Sequence, residues 1–236
     1  MDKTLIIIPK ILHFMWYEKP ITDWARFIIT MWELMNPDFK IMVHIKEWES
    51  VHESHRDAFR RTKKLIDRVD VCRWGILKMF GGWVIDADII PLRPFDTIYD
   101  EVKTDFTATE YYQNHNCLDV MFVGASTSSP VWRYLDNYLT AHRYTGFNPF
   151  GFNAINFAYK NIPNEFTVLK QQMFCQYGRH DMEEVRLGIK FLENLMLGKN
   201  VMDYINHIRK KIGYLPYGVH LWTGGKRTLR LDAFNA

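Results

Sequence analysis

Two aspartates one residue apart, Asp86 and Asp88, follow the apolar run Gly82-Trp83-Val84-Ile85 and precede Ile89-Ile90-Pro91. In an extended stretch side chains repeat their direction every two residues, so both carboxylates face one side. Two like charges on an otherwise apolar stretch are costly to bury without a cation. Carboxylate oxygens suit Mn²⁺ or Mg²⁺, which makes such an ion the readiest cation for a buried pair. The ordinary alternative for such a pair is solvated or helix-capping carboxylates at a strand end.

Upstream, Asp70 and Arg73 stand at i,i+3 in a helix predicted over 62–80. One apolar seam of that helix is Leu65, Val69, Cys72, Ile76 and Met79. A second is Ile66, Asp70, Arg73 and Leu77, so the charged pair interrupts an apolar stripe. An internal ion pair would account for it. Burying such a pair is expensive, however, and the helix ends at Gly81-Gly82, just before Asp86. A polar pocket shared by Asp70, Arg73, Asp86 and Asp88 is the second reading.

The flanking elements alternate between strand and helix. A buried first strand is expected over 5–16, with Pro9 at an edge or bulge. A helix capped by Thr22 or Asp23 runs to Met35 and stops at Asn36-Pro37. A strand over 39–45 and a polar stretch over 46–61 lead into the helix that carries Asp70. Strands follow at 105–110 and 118–125, then a turn at 126–129 and a helix opened by Pro130. A Gly/Asn/Pro-rich loop at 145–153 enters a helix that ends near Lys160. A strand at 166–169, helix over 183–211 broken at Gly198, and the closing segment 218–226 complete the chain. This order indicates an α/β fold with a mostly parallel central sheet flanked by helices. Ligands of such sheets bind beyond the carboxyl ends of the strands, where Asp86 and Asp88 fall.

The 236 residues fit one α/β domain or two small ones, and a 47% hydrophobic share supports a substantial core. Net charge is +3, which gives no reason to expect nucleic acid as a partner. The run Arg60-Arg61-Thr62-Lys63-Lys64 reads as a solvated helix start. Cys72, Cys117 and Cys175 are odd in number and widely spaced, with neither a zinc pattern nor a disulfide framework. Each is expected as a small core residue in a reducing compartment. Leu5-Ile6-Ile7-Ile8 is too short for a signal peptide, and no apolar run reaches membrane-spanning length. A cytoplasmic location is expected.

Four segments together resemble the glycosyltransferases with a DXD sugar-binding region of the family 32 type. That group includes yeast initiating mannosyltransferases, bacterial capsule and lipo-oligosaccharide transferases and, more distantly, clostridial glucosylating toxins. The segments are Ile8-Pro9-Lys10-Ile11-Leu12-His13 through Trp16, Asn36-Pro37 with the strand after it, Asp70 and Arg73 through Gly81-Gly82-Trp83-Val84-Ile85-Asp86-Ala87-Asp88, and His220-Leu221-Trp222. Two departures mark the pattern: Gly225-Lys226 replaces a closing Ser-Trp, and Thr145-Gly146-Phe147-Asn148-Pro149 only loosely matches a "TGP" loop.

The resemblance implies a single GT-A domain over 1–236. Its nucleotide-sugar half would span about 1–92, and its acceptor half about 93–236, including a C-terminal segment that contacts metal and phosphate. It implies retaining, metal-dependent transfer of a hexose-like sugar from a nucleotide diphosphate, UDP before GDP, to a glycan or other hydroxyl acceptor. Asp88 would ligate the metal directly, and Asp86 would touch the metal, its water or the ribose. His220 is a third metal ligand or a core histidine. Asp70 and Arg73 would bind sugar hydroxyls, which suits their paired acceptors and forked donors. Trp16 would flank the nucleobase or pack in the core. Trp222 counts among the substrate-binding residues, and Lys226 would neutralise the phosphates unless it is merely solvated. Asp119 is the one candidate nucleophile for a double displacement. Reaction on one face, with the leaving phosphate taking the acceptor's proton, needs none and is preferred. Two other classes also accommodate paired aspartates: a metal-dependent phosphohydrolase or nucleotidyltransferase, and a non-catalytic sugar-binding protein on the same fold.

Overall fold

Strand β1 (Ile11–Met15) buries its three central residues, so it must be covered on both faces and paired on both edges. Its neighbours are β2 (Lys40–His44) and β3 (Gly82–Ile85), both parallel to it. The computed structural model describes residues 8–17, 20–111, 114–141, 148–174, 182–200, 202–212 and 216–220. Beyond the short β4 (Ile89–Pro91) come β5 (Phe106–Tyr111), β6 (Asn114–Ala125) and β7 (Phe166–Leu169). The main sheet has the order β2-β1-β3-β6-β5-β7, and only β6 runs antiparallel to its neighbours. The expected mostly parallel sheet is therefore present. The β3–β6 pairing makes it continuous across the chain's two halves. β4 belongs to a second, two-stranded sheet with β8 (Gly218–His220).

Helices cover both faces. α1 (Asp23–Met35), the short α2 (Arg56–Arg61), α3 (Leu65–Phe80), α4 (Val131–Ala141), α5 (Phe152–Asn161), α6 (Met182–Met196) and α7 (Met202–Ile212) follow in chain order. Alternation along β3 splits the core in two. Trp83 and Ile85 join the cluster that holds Trp32, Phe95, Phe122, Phe191 and Tyr217, and Val84 joins the one that holds Trp74, Phe106, Trp132 and Ile155. Asn36 ends α1 as expected and also anchors it. Its amide donates to the Trp32 carbonyl at 2.8 Å and accepts from the Phe95 N–H at 2.6 Å.

Several local expectations need correction. β1 begins at Ile11, and Pro9 lies before it, against Gly81. α3 begins at Leu65 rather than Thr62, and its first apolar residues are not core: Leu65 and Ile66 are exposed. The two seams merge where every residue from Asp70 to Leu77 is buried, so α3 is a core helix and not an amphipathic one along that length. Cys72 is buried and Cys117 only half-buried; Cys175 lies outside the described residues. Among the described residues no helix is long and apolar enough to cross a membrane.

The corner between α3 and β3 explains its glycines. Gly81 and Gly82 have φ of 64° and 89°, where side chains are strained, and a Cβ on Gly82 would lie 2.7 Å from the Ile11 carbonyl oxygen. The Gly81 carbonyl accepts a bond from His13 Nε2–H at 2.8 Å. That fixes the His13 tautomer and leaves Nδ1 to accept from His44 Nε2–H at 3.0 Å. Burial pushes His13 down to about 3 and His44 down to about 4, so both imidazoles stay neutral near pH 7. This histidine pair pins the corner from which β3 leads to Asp86.

Candidate metal centre

Asp86 and Asp88 are brought together by a turn, not by one extended strand. The Ile89 N–H donates to the Asp86 carbonyl at 3.1 Å, closing Asp86–Ile89. The Asp86 N–H donates to the Met121 carbonyl on β6 at 3.0 Å, so the turn starts while the chain is still held by the main sheet. It then leaves that sheet as β4 and pairs with β8, in the register Ile89 with His220. This pairing seats His220 Nε2 3.1 Å from Asp88 Oδ1 and 3.9 Å from Asp86 Oδ2. One ligand atom from each of Asp86, Asp88 and His220 lies within 4.8 Å of the others. Two carboxylates and an imidazole on one side of a turn form a donor set for a divalent ion, and the imidazole suits Mn²⁺ better than Mg²⁺.

Arg73 flanks the set. Its Nη1 donates to Asp70 Oδ1 at 2.5 Å and its Nη2 to Asp86 Oδ1 at 2.7 Å. The i,i+3 pair is an internal ion pair, and it also reaches across to Asp86 in the turn. Asp70 and Arg73 are sealed, at 1% and 3% exposure, while Asp86 keeps 30% of its side chain open. Asp119 stands nearby on β6. Its Oδ1 accepts the N–H groups of Val120 at 2.6 Å and Met121 at 3.2 Å. The peptides around Met121 therefore hold both Asp119 and the start of the turn.

Four carboxylates face one guanidinium and one imidazole. Burial pushes Asp70 up to about 7, against the pull of Arg73, with Asp86 adding to the rise. Burial likewise pushes Asp86 up to about 6, opposed by Arg73 and His220. Asp119 is raised by burial, although His220 and its two backbone bonds work the other way. Burial disfavours a charged His220, yet Asp88, Asp86 and Asp119 together raise its pKa. Arg73 is raised by Asp86 and Asp70 in spite of its burial. Each group is asked to relieve a surplus of negative charge, and a divalent cation between Asp86, Asp88 and His220 would relieve it directly. Two buried polar atoms, Asp70 Oδ2 and Arg73 Nε, have no hydrogen-bond partner, and the site has polar capacity to spare.

Trp16 follows β1 at the same strand end, half-buried. Its indole N–H donates to the Pro20 carbonyl at 3.2 Å and its ring meets Trp24 edge-on at 5.5 Å. Trp222, Lys226 and the residues 145–147 lie outside the described residues. Two residues near the site escape sequence reasoning. Asn148, at φ 41°, accepts the N–H groups of Gly151 and Phe152 on its side-chain oxygen at 2.9 and 3.1 Å, which shapes the entry to α5. Gly151 lies against Asp70 so closely that a Cβ there would be 2.5 Å from Asp70 Oδ2. An Asn-Pro pair just before a glycine and a predicted helix was the available signal.

Residues 22–105 match the family described as "Glycosyltransferase sugar-binding region containing DXD motif". The match includes Asp70, Arg73, Asp86 and Asp88 and excludes Trp16, Asp119 and His220. No curated protein matches the sequence. Among solved structures, the PaToxG glycosyltransferase is 15% identical with a TM-score of 0.52, over 87% of this chain and 83% of that one. A glycosyltransferase involved in glycosylating the major capsid of PBCV-1 is 10% identical with a TM-score of 0.52, over 97% of this chain and 100% of that one. The UDP-bound glycosyltransferase domain of the YGT toxin is 8% identical with a TM-score of 0.52, over 70% and 80%. At these identities the likeness is one of fold. Residues 22–105 are thus similar to the sugar-binding region of DXD glycosyltransferases, and the fold is one shared with glycosyltransferases.

Proposed function

We propose that this chain is a retaining, metal-dependent glycosyltransferase that moves a hexose-like sugar from a nucleotide diphosphate to a glycan or other hydroxyl acceptor. The observation that carries the reading is the convergence of Asp86, Asp88 and His220 from two distant parts of the chain, with Arg73 bound to one of the aspartates. UDP is the preferred nucleotide; a structure of similar fold is UDP-bound. Asp88 and His220 would hold Mn²⁺ with Asp86 Oδ2. When bound, the ion supplies a Lewis acid beside the diphosphate leaving group.

The chain's own residues divide the remaining work. Arg73 adds positive charge beside the leaving group's end of the site, and Asp70, sealed behind it against Gly151, holds the guanidinium in place. Trp16 borders the base. Asp119 already spends Oδ1 on two backbone N–H groups, which lowers the nucleophilicity of that oxygen. Transfer on one face, with the leaving phosphate accepting the acceptor's proton, therefore stands ahead of a double displacement through Asp119. The segment up to about residue 92 would serve the donor and the remainder the acceptor. Unpaired Cys72 and Cys117 suit a cytoplasmic setting.

Donor hydrolysis tests the reading. A panel of UDP- and GDP-sugars is incubated with Mn²⁺, and in parallel with EDTA. Metal-dependent release of a nucleoside diphosphate and free sugar from one donor is expected. Phosphate release from simple esters without sugar transfer would point to a phosphohydrolase. A protein that binds neither Mn²⁺ nor nucleotide would overturn the proposal.

A further inference from the structure

The metal-binding turn is held from an unexpected direction. Asp86 Oδ1 is occupied by Arg73 Nη2, which leaves Oδ2 toward His220 and the ion. Arg73 is in turn held through Nη1 by Asp70 Oδ1. Asp70 is sealed, and what lies against its other oxygen is the backbone of Gly151. A Cβ on Gly151 would lie 2.5 Å from Asp70 Oδ2, 2.6 Å from Asp70 Cγ and 2.6 Å from Asn148 Oδ1, so there is no side on which it fits. The elbow cannot easily recede. Asn148 Oδ1 ties down the Gly151 and Phe152 N–H groups, and the Phe150 carbonyl accepts from Trp74 Nε1 at 2.6 Å, one turn along α3 from Asp70.

We infer that Gly151 is a positioning residue for the metal site: the Asn148–Gly151 elbow fixes Asp70, Asp70 fixes Arg73, and Arg73 fixes the rotamer of Asp86. All three links are buried or close-packed, and dense interiors pass displacements on instead of absorbing them. Glycine is needed here for close approach, since its φ of −99° is open to any residue. The inference rests on the proposed metal-binding reading and deepens it.

The test uses the full chain and Gly151→Ala. Mn²⁺ affinity is measured without donor, by the loss of the free-ion electron paramagnetic resonance signal. The Mn²⁺ concentration for half-maximal donor hydrolysis is measured beside it. Affinity is expected to fall about tenfold, the usual cost of disturbing the groups that orient a metal ligand. The half-maximal concentration should rise in step, with turnover recovering at saturating Mn²⁺. Unchanged Mn²⁺ affinity overturns the inference, and so does a loss of turnover that excess Mn²⁺ does not recover. If Gly151→Ala melts without a cooperative transition, the isosteric Asp70→Asn carries the same test, because it weakens the hold on Arg73 without adding bulk. A wild-type protein that binds no Mn²⁺ would instead remove the reading of the site itself. Normal wild-type binding with an unaltered variant removes only the role of Gly151.

Discussion

Helix α3 contributes to two charge clusters, and they behave in opposite ways. Around Asp136 on α4 the charges balance. His55 Nε2 bonds to one carboxylate oxygen at 2.9 Å, and Lys78 Nζ donates to the other at 2.5 Å. Burial works against the charge of Asp136, yet these bonds hold it down at about 2. Around Asp86 the acids outnumber their partners, and Asp70 and Asp86 are pushed up to about 7 and 6. The same residue types thus make a structural clasp in one place and an incomplete site in the other. The difference is uncompensated charge, which a fold tolerates where a ligand supplies the missing sign.

The comparison breaks most sharply at Asp88. Asp88→Ala should cut metal-dependent donor hydrolysis by about three orders of magnitude or more, the scale of losing a principal metal contact. Its melting temperature without metal should hold, because the variant relieves a surplus of negative charge; a variant that turns over like wild type would remove Asp88 from the site. Arg73→Met should cost about 3–5 kcal/mol of stability in urea denaturation, since it strands the sealed carboxylate of Asp70 and deprives half-buried Asp86 of its partner. A loss below about 1 kcal/mol would mean that Asp70 is already protonated and needs no partner.

Asp70→Asn sharpens the contrast through pH. A carboxyl raised in the folded state binds protons there that the unfolded chain has released, so its stabilisation is present at low pH and fades as pH rises through about 7. In metal-free protein the stability of Asp70→Asn relative to wild type should therefore be greater at pH 8 than at pH 5. The reverse trend would show an ionised, fully paired Asp70. The smallest effect is expected at the balanced cluster: Asp136→Ala should cost about 1–3 kcal/mol, by stranding Lys78 and His55. It should leave Mn²⁺ affinity and turnover unchanged, and a shift in either would join the two clusters functionally.

Much of this site was legible along the chain, for reasons that only partly held. Asp70 and Arg73 stood out because charge interrupts an apolar helix stripe, and burial made that interruption meaningful. Asp86 and Asp88 stood out as an alternating pair, but a hydrogen-bonded turn, not strand periodicity, aims them together. The exposed Leu65 and Ile66 show where periodicity misleads: α3's first turn overhangs the core it later enters. Residues that act across space left weak traces. His220 was reached through a resemblance, since its register with Ile89 depends on sheet pairing. His13, His44, Asn148 and Gly151 carry no local pattern that reveals a partner on another element.

The β4–β8 pairing also has a consequence for assembly. Its register joins residues 89–91 to residues 218–220, a span that covers most of the fold. Contacts of such sequence separation close late, because the loop between them must be ordered first. The two aspartates are therefore in place on a nascent chain well before the imidazole that completes their set. A ribosome must deliver the chain through residue 220 before the three ligands can meet, so shorter chains hold the two aspartates without their imidazole.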